Sequence, residues 1–422
     1  MGRQREARGY VAWVGFLVAA GAALTACGET ASSSAGSAGA GGSRAGASTQ
    51  AAAGAANLPP TGGAGAGSSE GGAPSEHADG GQTGEAGAGA AAGAPSTDDA
   101  PPNCQPLPDV AQAVFEDLGA LVPETISATG STIVGSLRDL NHAAVWTHEA
   151  GVRDLSTPDN DLYLASLTNC DGSVLVASTH AGDSYRWTQR LGFVALRGSG
   201  GMPDGVSVLA INPTGQVLVG TNGPDAKAIA QRWAGGNPAA VALANVHGYA
   251  TDVSDDGQVV VGVRFKDESR GDVFRWTEAS GVQSIAKTVS AVARVSADGT
   301  SVLASDVNQA LYRWRATGVT ALSCGAGAVG CQASLLSHDG SLIILDRENA
   351  PNHADDEELV WTDAHGAVSF MDKVKALGVD LGEWQSLNIV DMAPDARTFV
   401  GMAFGLDGQV GAYRLRVPAG TF

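Results

Sequence analysis

From Thr251 to Ala286 the chain reads TDVSDDGQVVVGVRFKDESRGDVFRWTEASGVQSIA. This stretch holds four short apolar runs: one up to Val253, then Val259–Val263, Val273–Trp276 and Val282–Ile285. Asp-Asp-Gly, a charged loop with Gly271 and Ala-Ser-Gly separate them. Short β-branched runs bounded by Gly and Asp predict strands joined by tight turns. The pattern recurs. Its turn between the first two strands reads SATG (127–130), NCDG (169–172), NPTG (212–215), SDDG (254–257), SADG (296–299), SHDG (337–340) and a degraded APDA (393–396). Successive glycines from Gly130 to Gly340 are 41 to 43 residues apart.

After each turn comes an apolar strand, from STIVGS through QVVVGV to RTFVGM. A third strand follows, ending at Trp146, Trp187, Trp233, Trp276, Trp314 and Trp361, with YRL at Tyr413–Leu415 as the seventh. Six of the eight tryptophans thus hold one position of the repeat, where each is expected to be a core peg between sheets. Four strands per period of about 42 residues predict the blades of a propeller. The expected fold is all-β: a seven-bladed β-propeller over 103–422. The seventh copy stops after its third strand, so Asp109–Leu118 is expected to supply the missing outer strand.

Ahead of the repeats the pattern fails. Residues 28–102 are of low complexity, mostly Gly, Ala, Ser and Thr with no apolar period, a composition that cannot bury enough surface to offset chain entropy. This segment is expected to be a disordered tether with a span on the order of 50 Å. Residues 1–27 carry a basic start, an apolar run from Tyr10 to Leu24 and then Leu24-Thr25-Ala26-Cys27. That is the order of an export signal, and the run is short for a span of ~20 residues. Its end resembles the bacterial lipobox, which implies cleavage before Cys27 and a lipid on its thiol. The expected localisation is an exported, membrane-anchored lipoprotein, at the outer membrane or surface of a Gram-negative bacterium.

The net charge of −19 and the lack of a Lys/Arg run argue against a nucleic-acid partner and against docking on anionic lipid. Besides Cys27, four cysteines remain. Cys324 and Cys331 bracket a small loop that a disulfide closes easily, and Cys104 with Cys170 would tie the start of the domain to its second repeat. No CxxC or His-flanked pair supports a metal site in their place.

The copy NHAAVWTHEAGVRDL (141–155), with GSTIVGS before it, resembles the bacterial HAF extracellular repeat. That family carries His-Ala-Phe, an arginine or leucine, Trp, Gly-Val/Met-x-x-Leu and an Asn/Ser-x-x-Gly turn. Later copies such as DVFRWTEASGVQSI lack the His-Ala pair. The resemblance covers 103–422, and with the lipobox and tether the chain looks like a myxobacterial surface lipoprotein. It implies an exported propeller and assigns no activity.

Two groups could carry chemistry. In the second-to-third loops the sixth stands out, with Asp346, Glu348, His353, Asp355, Asp356, Glu357 and Glu358. Such an oxygen-rich loop either holds a hard cation such as Ca²⁺ or is a solvated acidic surface, and the ligand spacing of a D-x-D-x-D-G loop is absent. On the innermost strands, two residues before the turn, stand Asp252, Arg294 and Asp391. These charges orient a ligand at the channel, pair structurally, or line water. No catalytic residues are assigned, because a G-x-S-x-G elbow, an i, i+4 histidine pair and a nucleotide-binding glycine loop are all absent. The expected function is a binding module for an envelope protein or polysaccharide, without an assigned cofactor. The alternative is a glycan hydrolase or lyase acting at the channel mouth.

Overall fold

The computed structural model describes residues 102–422 apart from 157–160, 200–204, 224–227, 268–269, 288–292, 306–309, 327, 329, 349–356 and 407. The expected signal, Cys27 and the tether lie outside the described residues. After β1 (Val114–Asp117), the strands β2 (Leu121–Ile126), β3 (Thr132–Leu137), β4 (Ala143–Thr147) and β5 (Gly151–Asp154) form a four-stranded antiparallel sheet. β6 (Leu162–Thr168), β7 (Val174–Thr179), β8 (Ser184–Thr188) and β9 (Gly192–Ala195) form the next.

A seven-stranded sheet follows: β10 (Val206–Ile211), β11 (Val217–Asn222), β12 (Ile229–Ala234), β13 (Val241–Val253), β14 (Val260–Asp267), β15 (Arg270–Thr277) and β16 (Gly281–Lys287). Then come the sheet of β17 (Ala293–Val295), β18 (Ser301–Ser305), β19 (Leu311–Arg315) and β20 (Gly318–Leu322), and that of β21 (Gly330–Leu336), β22 (Leu342–Glu348), β23 (Glu357–Thr362) and β24 (Gly366–Ser369). A helix, α1 (Phe370–Ala376), leads to β25 (Trp384–Met392), β26 (Thr398–Gly405) and β27 (Val410–Arg416). β1 pairs with β27, Val114 opposite Arg416 and Asp117 opposite Tyr413, so the chain's first described strand completes its last sheet as expected.

Two features depart from the expectation. β13 is one 13-residue strand whose start pairs with β12 and whose end pairs with β14, where two separate strands were expected. Val241–Val253 contains no proline, and Gly248 takes the bend at φ 144°, so one strand runs from one repeat into the next, although its pairing with β12 skips from Ala242 to His247. The all-β expectation also needs the correction of α1. Phe370 and Val374 stand at i and i+4 and are buried together, while the Ser369 hydroxyl accepts the Asp372 N–H at 3.2 Å. Among the described residues no helix is long and apolar enough to cross a membrane.

The sheets meet through their first strands. β2 lies against β6 on one side and β25 on the other, β6 against β10, β13 against β17, and β17 against β21. Each repeat aromatic packs in its own apolar cluster: Trp146 with Ile133 and Val400, Trp233 with Val208 and Leu218, Trp361 with Ile343 and Leu359. Leu415, the seventh of the series, is buried with Phe370 and Phe399.

The turns show why Ser/Asn-x-x-Gly recurs. The first side chain (Ser127, Asn169, Asn212, Ser254, Ser296 and Ser337) is buried, and its oxygen accepts the N–H five residues on at 2.8–3.0 Å. The closing glycines have φ of 69–82°, and a Cβ on Gly172 would stand 2.5 Å from Thr132 Oγ1 of the preceding sheet. Positive φ and close approach both select glycine. In the degraded seventh turn Ala393 has no oxygen to offer, and Ala396 is held at φ 55°.

Candidate functional site

Every four-stranded meander puts its first-to-second and third-to-fourth turns at one end and its second-to-third loops at the other. At the turn end the entering chain is fastened down. Cys104 and Cys170 form a disulfide with Cα atoms 5.2 Å apart, the Asn103 N–H donates to Asp171, and the Leu107 N–H donates to the Thr129 carbonyl. Cys324 and Cys331 form the second disulfide, across seven residues. Both pairings match those read from the cysteine spacing.

Six of the inner strands carry a β-bulge at the same place, and the described part of β17 pairs without one. The register shifts between Pro123 and Thr125, Ala165 and Leu167, Val208 and Ala210, Ala250 and Asp252, Ala333 and Leu335, and Ile389 and Asp391. A bulge re-aims the side chains that follow it. Here it sends the next residue toward the neighbouring inner strand. Asp252 accepts the Val295 N–H at 2.8 Å, and Asp391 accepts the Ile126 N–H at 2.9 Å. Thr125 donates to the Ser166 carbonyl at 2.6 Å, and Arg294, from the unshifted β17, donates to the Thr251 carbonyl at 3.2 Å.

The three predicted charges therefore bridge neighbouring strands through backbone groups. They also feel one another. Burial raises the Asp391 carboxyl to about 7, against the Ile126 and Met392 N–H groups and Arg294, with Asp252 pushing upward. Burial likewise raises Asp252, opposed first by Arg294. Glu124, the bulge residue of β2, joins this group: burial, and then Asp391, push it up to about 8. Sequence analysis missed Glu124 because the repeat marks the position two before the turn, and only the bulge register brings the preceding residue into the same surroundings.

The predicted acidic loop divides. His353, Asp355 and Asp356 lie outside the described residues. Asp346 and Glu358 stand directly opposite each other on β22 and β23, whereas Arg347 and Glu357 are the next pair, on the other pleat face, 3.8 Å apart. Glu348 accepts from Gln332 at 2.9 Å. Glu358 accepts from Asn388 Nδ2 at 2.6 Å, across to β25, and shares a hydrogen bond with Asp346. Burial first, and then the Asp346 charge, hold the Glu358 carboxyl well above its usual range. The described acids of this loop thus point to opposite faces of the hairpin. Among the described residues no three His, Cys, Asp or Glu side chains gather to hold a metal ion. Asn388 was not singled out from the sequence, since nothing there shows which sheet faces Glu358.

A cleft of about 420 Å³ opens at the turn end, between the Ser337 and Ala393 turns. His338, Asp339, Leu342, Ala396 and Arg397 contribute to its lining. Beside it, His338 pairs with Asp255, and that hydrogen bond raises the imidazole pKa against the effect of burial.

No family profile and no curated protein matches this sequence. Among solved structures, the chain is similar to an oligogalacturonate lyase determined in complex with manganese: TM-score 0.50, 11% identity, covering 74% of this chain and 96% of that one. It is also similar to the Cps50 (Swd1) β-propeller domain of Myceliophteria thermophila: TM-score 0.47, 14% identity, covering 73% of this chain and 99% of that one. At 11% identity the likeness to the lyase speaks to fold alone.

Proposed function

We propose that this chain is a cell-surface lipoprotein of a Gram-negative bacterium, anchored through Cys27 and the 28–102 tether, whose propeller is a binding module for an envelope protein or polysaccharide. The propeller is a closed ring of seven blades built from HAF-like repeats. β13 divides the seven-stranded sheet into two four-stranded blades by serving as outer strand of one and inner strand of the next. Contacts of β2 with both β6 and β25 support the closure.

The observation that carries the binding reading is how the inner-strand charges are used. Asp252, Arg294 and Asp391 are each bonded to the backbone of a neighbouring inner strand, as framework groups are. The entering chain occupies the turn end, which leaves the opposite end, formed by loops of unequal length and composition, as the binding face. The test is binding of the full chain to purified peptidoglycan fragments, lipopolysaccharide and envelope polysaccharides, read by thermal shift. Ligand at 100 times its dissociation constant adds about 2.7 kcal/mol. Lipid labelling of Cys27, lost in Cys27→Ser, tests the anchor. Turnover of a glycan without stable binding overturns the module reading.

One observation favours the alternative, a glycan hydrolase or lyase. Glu124, Asp252, Asp391 and Arg294 act on one another across the inner strands, and a carboxyl kept protonated near neutral pH is what a general acid requires. Loss of glycan turnover in Glu124→Gln, with binding retained, supports this alternative.

A further inference from the structure

The chain reaches its first strand by way of the second repeat. Cys104 is bonded to Cys170, the Asn103 N–H donates to Asp171 at 3.1 Å, and the Leu107 N–H donates to the Thr129 carbonyl of the first repeat at 3.3 Å. Farther on, the Pro108 carbonyl accepts from Arg416, and Asp109 accepts the Ala419 N–H at 3.2 Å. Only then does β1 pair with β27 and complete the last sheet.

The two sides of the disulfide differ in firmness. Every residue from Asn103 to Asp117 is exposed or half-buried, and Leu118 is the first to be buried. Cys170, by contrast, is buried. Its N–H donates to the Pro213 carbonyl at 3.0 Å and its carbonyl accepts the Thr129 N–H at 2.8 Å. The turn that holds Cys170 is thereby tied to the turns of the first and third repeats.

Register decides how β1 answers a pull. Val114 stands opposite Arg416 and Asp117 opposite Tyr413, so the chain enters β1 at the same end at which it leaves β27. Bonds of an antiparallel ladder lie across the strands. Tension on the chain ahead of Val114 therefore falls on the Val114–Arg416 pair first and opens the ladder one pair at a time. Bonds broken in turn resist less than bonds that must break together.

We propose that the Cys104–Cys170 disulfide is a tension clamp. It passes a pull on the chain ahead of Asn103 into the buried turn of the second repeat, so that β1 stays paired with β27. Without the bond, the same pull reaches β1 and peels it from Val114 onward. The inference takes from the proposed function only that the chain is held somewhere ahead of Asn103.

The test is to pull the full chain between handles at its two termini in an optical trap. The trap supplies the tension itself, so a missing lipid anchor does not bear on the result. In Cys104→Ser with Cys170→Ser, a first step of up to about 50 Å should appear at low force, as residues 104–117 come free. With the disulfide intact that step should be absent. The fully opened chain should then be shorter than the variant by about 230 Å, the length of the 66 residues that the bond holds closed. Should the variant not fold, the wild-type chain, folded oxidised and then reduced in the trap, gives the same reading. Cys324→Ser with Cys331→Ser leaves the clamp in place and should open as the wild type does. A short early step with the disulfide intact, or the same opening force with and without the bond, would overturn the proposal.

Discussion

Arg414 and Gly130 stand 284 residues apart in the chain, and the Arg414 Nη2 donates to the Gly130 carbonyl at 2.7 Å. The same guanidinium meets Glu116 of β1 at 2.5 Å and lies over the Trp146 ring at 5.5 Å. One buried side chain thus ties the first strand, the first turn and the last sheet together. It is one instance of a device. Arg186 donates to the Gly215 carbonyl, Arg232 to Gly257, Arg275 to Gly299 and Arg313 to Gly340, each reaching the turn of the following repeat at 3.3–3.5 Å. The residue before the repeat aromatic is a staple wherever it is arginine. Val145 and Val360 interrupt the series.

Arg414→Ala should accordingly cost more than removal of any other staple. It leaves Glu116 without its buried partner as well as freeing Gly130, a loss of about 3–5 kcal/mol. Arg232→Ala removes one carbonyl bond and should cost about 1–2 kcal/mol. Urea denaturation of the two variants measures the difference. Equal losses would show that Arg414 has no special part in joining the termini.

The two disulfides should contribute unequally. Cys104–Cys170 closes 66 residues and Cys324–Cys331 closes seven. Chain-entropy arguments give about 4 kcal/mol for the first and about 2.5 kcal/mol for the second. Cys104→Ser with Cys170→Ser should therefore lower the melting temperature more than the corresponding Cys324/Cys331 pair, as scanning calorimetry under oxidising conditions would record.

The seventh turn can be repaired. Ala396→Gly relieves a non-glycine residue held at φ 55°, worth about 1 kcal/mol. Ala393→Ser supplies the hydroxyl that Ser254 and Ser337 offer in their own turns, worth about 1 kcal/mol more. Both substitutions should raise the urea midpoint without changing the slope. A lower midpoint for Ala396→Gly would mean that the lost Cβ contacts outweigh the strain.

Raised carboxyls give this protein a stability that falls as pH rises. Burial first, then Asp391, raises Glu124 from 4.5 to about 8, and Asp391 rises from 3.8 to about 7, chiefly through burial. Between those values the unfolded chain has released protons that the folded chain still holds. Stability therefore declines from about pH 4–4.5 and levels off near pH 8. Glu124→Gln should flatten its share of the slope, raising stability at pH 8 more than at pH 5. A melting series from pH 4.5 to 9 checks this, and a slope unaltered by the substitution would count against the assigned surroundings of Glu124.

The repeat period, the turn chemistry, the aromatic pegs, the pairing of the N-terminal strand and both disulfide partnerships could be read from the residues alone. Each depends on local rules. Positive φ selects Gly130 or Gly257 wherever it stands, alternation fixes which side of a strand is apolar, and a 42-residue repeat places every copy in the same surroundings. The unbroken β13 and the helix α1 escaped that reading, since local signals set where a strand can end but neighbouring sheets decide whether it does.

The carboxyl groups were legible as residues but not as sites. Asp391 was visible at its repeat position, yet only the bulge register sets it on the Ile126 N–H and lets it act on Glu124. Asp346 and Glu358 are twelve residues apart in the chain, and strand pairing alone puts them face to face. Asn388 and Arg414 gain their roles from sheets far away in sequence. Sequence determines what each segment prefers by itself. Which charges share a row, and how far burial shifts their protons, depends on the spacing between strands and sheets, and only the folded chain fixes that.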